Sequence, residues 1–389
     1  MNGPPYQVPP PPPPRRSELR APLARLLADP GARIGSFCWE PVAYESWSRA
    51  ADGVALVHGM ALTRTGAQRF SMVLKRLRHR PWQPLPGDLA RQIDDGGDGP
   101  GDWCLWEREA LARESGLLGE LPGRFSTARC LGIERSGDGR LSLWLEHVEG
   151  LAGAGWDAGE VLAAAGDLGA FHARYFARPP VASAWLCRPF AEQGAAAHRA
   201  GLADHLHEAC TSRDPALRAL FPPWSGAALR AVWRHGPAVL RTLPRTLVHR
   251  DLIPGNLFRT ATGTVAVDWG QVGLGPAGED LATLVLASAP AARLTADEIA
   301  DLGADASRRH RAGLRGAGQN TGPGPVGVGY RVTAALHFGT PVARTAARLL
   351  ALPRRALCAA ADDADTRRRI EVMLHHLACA QGDLPAVEA

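Results

Sequence analysis

Residues 248–270 read VHRDLIPGNLFRTATGTVAVDWG, and the spacing of three residues within them decides the fold. Asp251 precedes Asn256 across a loop that carries Pro254 and Gly255, so both side chains can face one pocket. After Asn256 the runs LFR and TVAV flank the turn TATG, and the second run leads straight into Asp268. That is a hairpin pattern, and it places a second acid beside the loop. A carboxylate with an amide oxygen is hard-ligand chemistry suited to Mg²⁺, which keeps several waters and takes further oxygens from a nucleotide. Asp251 is then free to act as a base. Phosphoryl transfer asks for these parts, together with a cation on the nucleotide phosphates.

The candidate for that cation comes from composition. Of the 44 basic residues only Lys75 is a lysine, and asparagine occurs only at Asn2, Asn256 and Asn320. Arginine stands everywhere else, yet a compact ammonium survives in the strand-like run RFSMVLKRLR, 69–78. A wide planar guanidinium would not make the same contact with phosphates and a carboxylate.

Working outward, a chain of 389 residues fits two lobes. Three short apolar runs at 37–47, 53–63 and 69–78 predict antiparallel strands, and 103–119 has helical spacing. Residues 129–148 predict two more strands joined by a turn at Ser136 to Gly139. After Gly150 the pattern is mainly helical, with stretches near 158–177, 190–210, 225–242, 278–289 and 330–352. The expected class is α+β: a small five-stranded antiparallel N-terminal lobe with one helix, 31–148, and a larger helical lobe, 149–389, carrying the catalytic loop and substrate site. Residues 1–30 open on a proline-rich run and are expected to be a disordered tail. Residues 79–102 read as an irregular insertion, and the glycine-dense 312–329 as a flexible loop.

Composition also excludes classes. A net charge of +5 with scattered arginines offers no basic block to track a nucleic acid. No apolar run reaches membrane-spanning length and the start lacks a signal-peptide core, so no membrane partner and a cytoplasmic location are expected. The seven cysteines are scattered and never in a CxxC pair, which argues against a disulfide framework and a zinc site.

With these residues in view, the sequence resembles the aminoglycoside phosphotransferase and choline kinase group of kinase-like enzymes, whose catalytic loop reads HxDxxxxN and whose metal motif is commonly DW. His249, Asp251, Asn256 and Asp268-Trp269 stand at those positions. The resemblance implies a bilobal protein-kinase-like fold, ATP and Mg²⁺, and transfer of the γ-phosphate to a hydroxyl of a small molecule of aminoglycoside, choline or sugar type. It implies Asp251 as catalytic base, Asn256 and Asp268 on the metal, and Lys75 on the phosphates. The helix WEREALARESGLL, 106–118, is similar to the one whose glutamate holds that lysine. Glu109 takes that role by analogy, with Glu107 and Glu114 as competitors. LWLEHV, 143–148, resembles the hinge that meets adenine, implicating Glu146 and Val148, and Asp280 in GPAGEDLATLV resembles a loop-supporting acid.

Some residues depart from that pattern. Arg250 stands where the group often has glycine, giving the HRD spelling of protein kinases, but those usually have lysine where Ile253 lies, and VDWG passes to a helix with no activation segment. No GxGxxG occurs in 44–60, so cover for the nucleotide is expected from a turn around Arg49 to Gly53. A second reading is a catalytically silent, kinase-like nucleotide-binding module; the intact Lys75, Asp251, Asn256 and Asp268 speak against it. His249 is expected to support the loop backbone, and His172 shows no pairing that demands a metal.

Overall fold

The computed structural model describes residues 6–43, 45–46, 50–79, 105–119, 121, 123–176, 184–189, 201–292 and 294–385. The chain starts with β1 (Tyr6–Gln7), α1 (Arg16–Leu26), β2 (Arg33–Val42), β3 (Glu45–Ser46), β4 (Ala51–Thr63) and β5 (Gly66–Arg78). There follow α2 (Arg108–Glu114), β6 (Phe125–Thr127), β7 (Cys130–Ser136) and β8 (Arg140–Glu146). Strands β2-β4-β5-β8-β7 form one antiparallel five-stranded sheet in that order. Strand β4 shows the reason: Ala55, Val57 and Ala61 are buried in alternation with half-buried neighbours, the period-2 pattern of a sheet with one covered face. Lys75 sits on the central strand β5, opposite Val54 and Leu143.

What covers that face corrects one expectation. Residues 1–30 were expected to form a disordered tail, but α1 buries Leu19 and Leu23 among Val57, Met72, Leu74, Leu131 and Trp144. Arg25 Nη1 donates to Leu131 O at 2.6 Å, and β1 pairs with β3. Leu19 and Leu23 recur at helical spacing directly after the prolines, and that short stripe is what the polyproline run masked. The insertion expected at 79–102 falls almost wholly outside the described residues.

The helical part begins with β9 (Leu151–Ala152) and α3 (Ala158–Tyr175), whose N-terminus carries an Asp157/Glu160 capping box. It continues through α4 (Leu202–Thr211), α5 (Pro215–Leu220), α6 (Ser225–Thr242), β10 (Arg245–Val248), β11 (Leu257–Thr260), β12 (Gly263–Ala266) and β13 (Gly273–Pro276). The last helices are α7 (Glu279–Ala292), α8 (Ala296–Gly316), α9 (Pro323–Leu350), α10 (Arg354–Asp362) and α11 (Ala364–Gln381). One core surrounds Phe171, Trp269 and Leu281, and a second fills the space between α4, α6, α9 and α11. Among the described residues no helix is long and apolar enough to cross a membrane.

A second expectation also fails. The glycine-dense 312–329 is mostly helix, with only 317–322 between α8 and α9. Two of its glycines serve close packing: a Cβ on Gly313 would strike Gly166 O on α3, and one on Gly329 would strike Ala277 O. Gly169 on α3 is pressed in the same way against His310 O on α8. Glycine at a helix crossing lets backbones approach, a use that composition alone does not distinguish from loop flexibility.

Candidate active site

Two buried chains of contact meet at the loop 249–256, the candidate catalytic loop. On the sheet side, Lys75 Nζ lies 2.9 Å from Glu109 Oε2 on α2 and 2.7 Å from Asp268 Oδ1. The Lys75 and Glu109 side chains are 12% and 2% exposed, whereas Asp268 is 41% exposed, so this acid faces the open side of the site. Arg113 Nη2 donates to the other Glu109 oxygen at 2.9 Å. Burial opposes the charge on Lys75, but Asp268 and Glu109 outweigh it and hold the ammonium above the ordinary lysine range. Burial likewise opposes the Glu109 carboxylate, yet Lys75 and Arg113 bring its pKa down to about 2. Of the three glutamates on this helix, Glu107 and Glu114 turn instead to Arg135.

The loop itself is fixed by backbone hydrogen bonds. Strand β10 pairs with β13 and delivers His249, whose N–H donates to Asp280 Oδ2 at 2.8 Å. Arg250 N–H donates to Asp280 Oδ1 at 2.7 Å, and Arg250 adopts a left-handed φ of 70°. The His249 ring accepts from Asp251 N–H at Nδ1, 3.2 Å, and donates from Nε2 to Val267 O, 3.0 Å. One ring nitrogen accepts and the other donates, which is the neutral tautomer and a purely supporting role. Asn256 Nδ2 donates to both Asp251 O and Asp251 Oδ2, each at 2.9 Å. Asp268, at the end of the β11–β12 hairpin, is also left-handed with φ 61°, and the ring of Trp269 behind it is fully buried 4.5 Å from His249. Burial raises the Asp251 pKa, and the charge of Asp268 adds to it, against the lowering by Asn256 and Lys75.

Sequence reasoning missed much of the loop's support. Asp280 also receives His172 Nε2 at 3.2 Å, and His172 Nδ1 meets His310 Nε2 at 2.8 Å. All three are fully buried. Burial opposes the Asp280 charge, but hydrogen bonds from the His172 ring and the His249 backbone N–H prevail and lower its pKa. Arg250 is held by Glu279 Oε1 and Cys187 O, both at 2.7 Å, and by Leu274 O at 2.9 Å. These partners lie far apart in sequence, and no local pattern marks them.

Asn256 and Asp268 offer an amide oxygen and a carboxylate, and no group of three His, Cys, Asp or Glu able to hold a metal occurs among the described residues. That donor set fits a hard cation that takes most of its shell from phosphate oxygens and water. At the expected hinge, Glu146 exchanges bonds with the Arg129 backbone, its N–H to Arg129 O at 3.0 Å and its Oε1 from Arg129 N at 2.8 Å. Val148 follows just past the end of β8. In the turn expected to cover the nucleotide, Arg49 lies outside the described residues, while Gly53 takes φ 122° at a register shift in β4.

Comparison with known proteins gives a match to the phosphotransferase enzyme family over residues 62–316. Similar solved structures include an aminoglycoside phosphotransferase from Alicyclobacillus acidocaldarius, 16% identical, covering 82% of this chain and 89% of that one at a TM-score of 0.46. Another is an aminoglycoside phosphotransferase from Streptomyces rimosus in complex with ADP and streptomycin, 19% identical, covering 83% and 98% at a TM-score of 0.40. An ethanolamine kinase from Plasmodium vivax is 9% identical, covering 87% and 81% at a TM-score of 0.46. A search of curated proteins found no match.

Proposed function

The chain belongs to the phosphotransferase enzyme family, and from that premise we propose that it transfers the γ-phosphate of ATP, with Mg²⁺, to a hydroxyl of a small molecule. The observation that carries this reading is Lys75 Nζ standing 2.9 Å from Glu109 and 2.7 Å from Asp268, which joins the sheet's lone lysine to the acid of the catalytic hairpin. A buried ammonium held by two carboxylates supplies a fixed positive charge for phosphate oxygens. Asn256 and Asp268 would hold Mg²⁺, which supplies neutralisation of charge on the transferring group. The hinge around Glu146 and Val148 would receive the adenine through its backbone.

Asp251 carries the acid–base role. Asn256 Nδ2 grips one of its oxygens and fixes the carboxylate, and the other oxygen is available to an incoming hydroxyl. As the acceptor oxygen bonds to the γ-phosphorus and the bond from that phosphorus to the ADP oxygen breaks, Asp251 takes the hydroxyl proton. Its raised pKa makes it a stronger base than an ordinary aspartate. The proposed acceptor is a hydroxylated amine or sugar, the class that the resemblance of the motifs implies. The test is a thermal shift with Mg²⁺·ATP followed by phosphate transfer to a panel of such acceptors. Binding without any turnover, unchanged in Asp251→Ala, would favour a silent nucleotide-binding module instead.

A further inference from the structure

Arg108 precedes Glu109 on α2 and its side chain is fully buried, which is unusual for a residue that keeps its charge at every ordinary pH. Glu109 reaches toward the sheet and Lys75, whereas Arg108 reaches the other way: Nε donates to Trp185 O at 2.7 Å and Nη1 to Gly270 O at 2.9 Å. Gly270 lies two residues beyond Asp268, inside the turn Trp269–Gln271 whose left-handed start orients that acid. Trp185 belongs to the short segment 184–189 that also supplies Cys187 O to Arg250, and whose Cys187 N–H donates to Val272 O at 3.0 Å. Two buried arginines, one beside Glu109 and one in the catalytic loop, are thus tied to the same few residues on either side of the metal turn.

We infer that Arg108 is a positioning residue for the metal-binding turn: its guanidinium locks α2 to Gly270, so that the ammonium partner Glu109 and the acid Asp268 are set by one rigid connection. The inference deepens the phosphotransferase reading and rests on it for the words "metal-binding". A planar fork satisfies two carbonyls on separate segments at once; a lysine in its place can serve only one geometry at a time. Removing the fork leaves the Lys75–Asp268 contact as a remaining bridge between α2 with its sheet and the turn, and a cation on Asp268 competes with Lys75 for the charge of that carboxylate. Arg108 therefore matters most when a metal is bound.

The experiment uses full-length protein with Arg108→Met and Arg108→Lys. Hydrogen exchange is read first, without ligand. Amides over 268–272 and 107–114 are expected to exchange about tenfold faster in Arg108→Met, with the α4–α6 region unchanged. The second reading is calorimetric binding of ADP with Mg²⁺ and in EDTA: Mg²⁺·ADP should bind about tenfold more weakly, and ADP alone within about twofold of wild type. Arg108→Lys should fall between the two. Unchanged exchange over 268–272, or a uniform rise across the chain, would overturn the inference. So would equal weakening of ADP with and without metal. Should the wild type bind no Mg²⁺·ADP at all, the phosphotransferase reading fails, while the exchange result still decides whether Arg108 holds the turn.

Discussion

Replacing Arg250 by glycine sets two effects of opposite sign against each other. Arg250 sits at φ 70°, where a Cβ costs roughly 1–2 kcal/mol and glycine costs nothing, so the backbone gains from the change. Against that, the guanidinium forms a buried pair with Glu279 Oε1 at 2.7 Å, the two side chains being 7% and 3% exposed. Breaking a buried pair by removing one partner costs about 3–5 kcal/mol, because the remaining charge has no compensation. The net expectation is a loss of about 3 kcal/mol, read as a lower urea midpoint at unchanged slope. The backbone N–H of residue 250 keeps its bond to Asp280 in the variant, so the catalytic loop should hold its course. Burial already raises the Glu279 carboxyl against the pull of Arg250, and without that arginine it rises further. A folded pKa above the unfolded one means stability present at low pH and lost as pH rises through it, so the deficit should be full above the raised value and shrink as pH falls through it. Adding Glu279→Gln should recover about half of the loss and remove the pH dependence. A single variant as stable as the wild type at pH 8 would refute the reasoning, and would make the HRD spelling incidental.

Asp251→Asn keeps the bond from Asn256 but removes the base, so turnover should fall by about 10²–10⁴ while Mg²⁺·ADP affinity stays near wild type. Its stability should match or exceed wild type near neutral pH, because the raised pKa means that ionised Asp251 weakens the fold there; a clear loss in urea unfolding would contradict this. In wild-type enzyme the acid limb of turnover should lie above that of an ordinary aspartate, and a limb at or below the ordinary value would count against Asp251 as the base. Lys75→Met should weaken ATP use through loss of the phosphate contact, seen as a higher KM, and normal kinetics would remove Lys75 from the site. Asp280→Ala strips an acceptor from two buried backbone N–H groups and from His172, at about 1–3 kcal/mol for each orphaned donor. Because the Asp280 pKa is lowered in the fold, the wild type should lose that contribution as pH falls through the folded value, and a variant deficit that grows toward acid pH would speak against this assignment.

Much of the sheet was legible because its signals are local. The turn at Ser136 to Gly139, the hairpin after Asn256 and the helix at 225–242 each follow from spacing and turn residues, and each stands in the structure where the pattern puts it. Lys75 was legible through rarity, and geometry separated Glu109 from Glu107 and Glu114 by showing which way each helix face turns. What stayed hidden is contact between segments distant in the chain. The Arg108–Gly270 bond spans 162 positions and His172–His310 spans 138, and a single sequence holds no periodicity at that range. The two failed expectations share another cause: proline at 9–14 and glycine at 312–329 were read as compositions, whereas a leucine stripe follows the first and the second lets helices touch.

The enclosed Lys75 has a use beyond catalysis. Apart from the chain's α-amine it is the only primary amine in the protein, and in the fold it is 12% exposed, protonated and clasped by two acids. An amine-directed reagent therefore meets a silent target in the native state and a reactive one once the chain opens. Single-site acylation, counted by mass, would work as a clock for unfolding, with the site's own ligands slowing its hand.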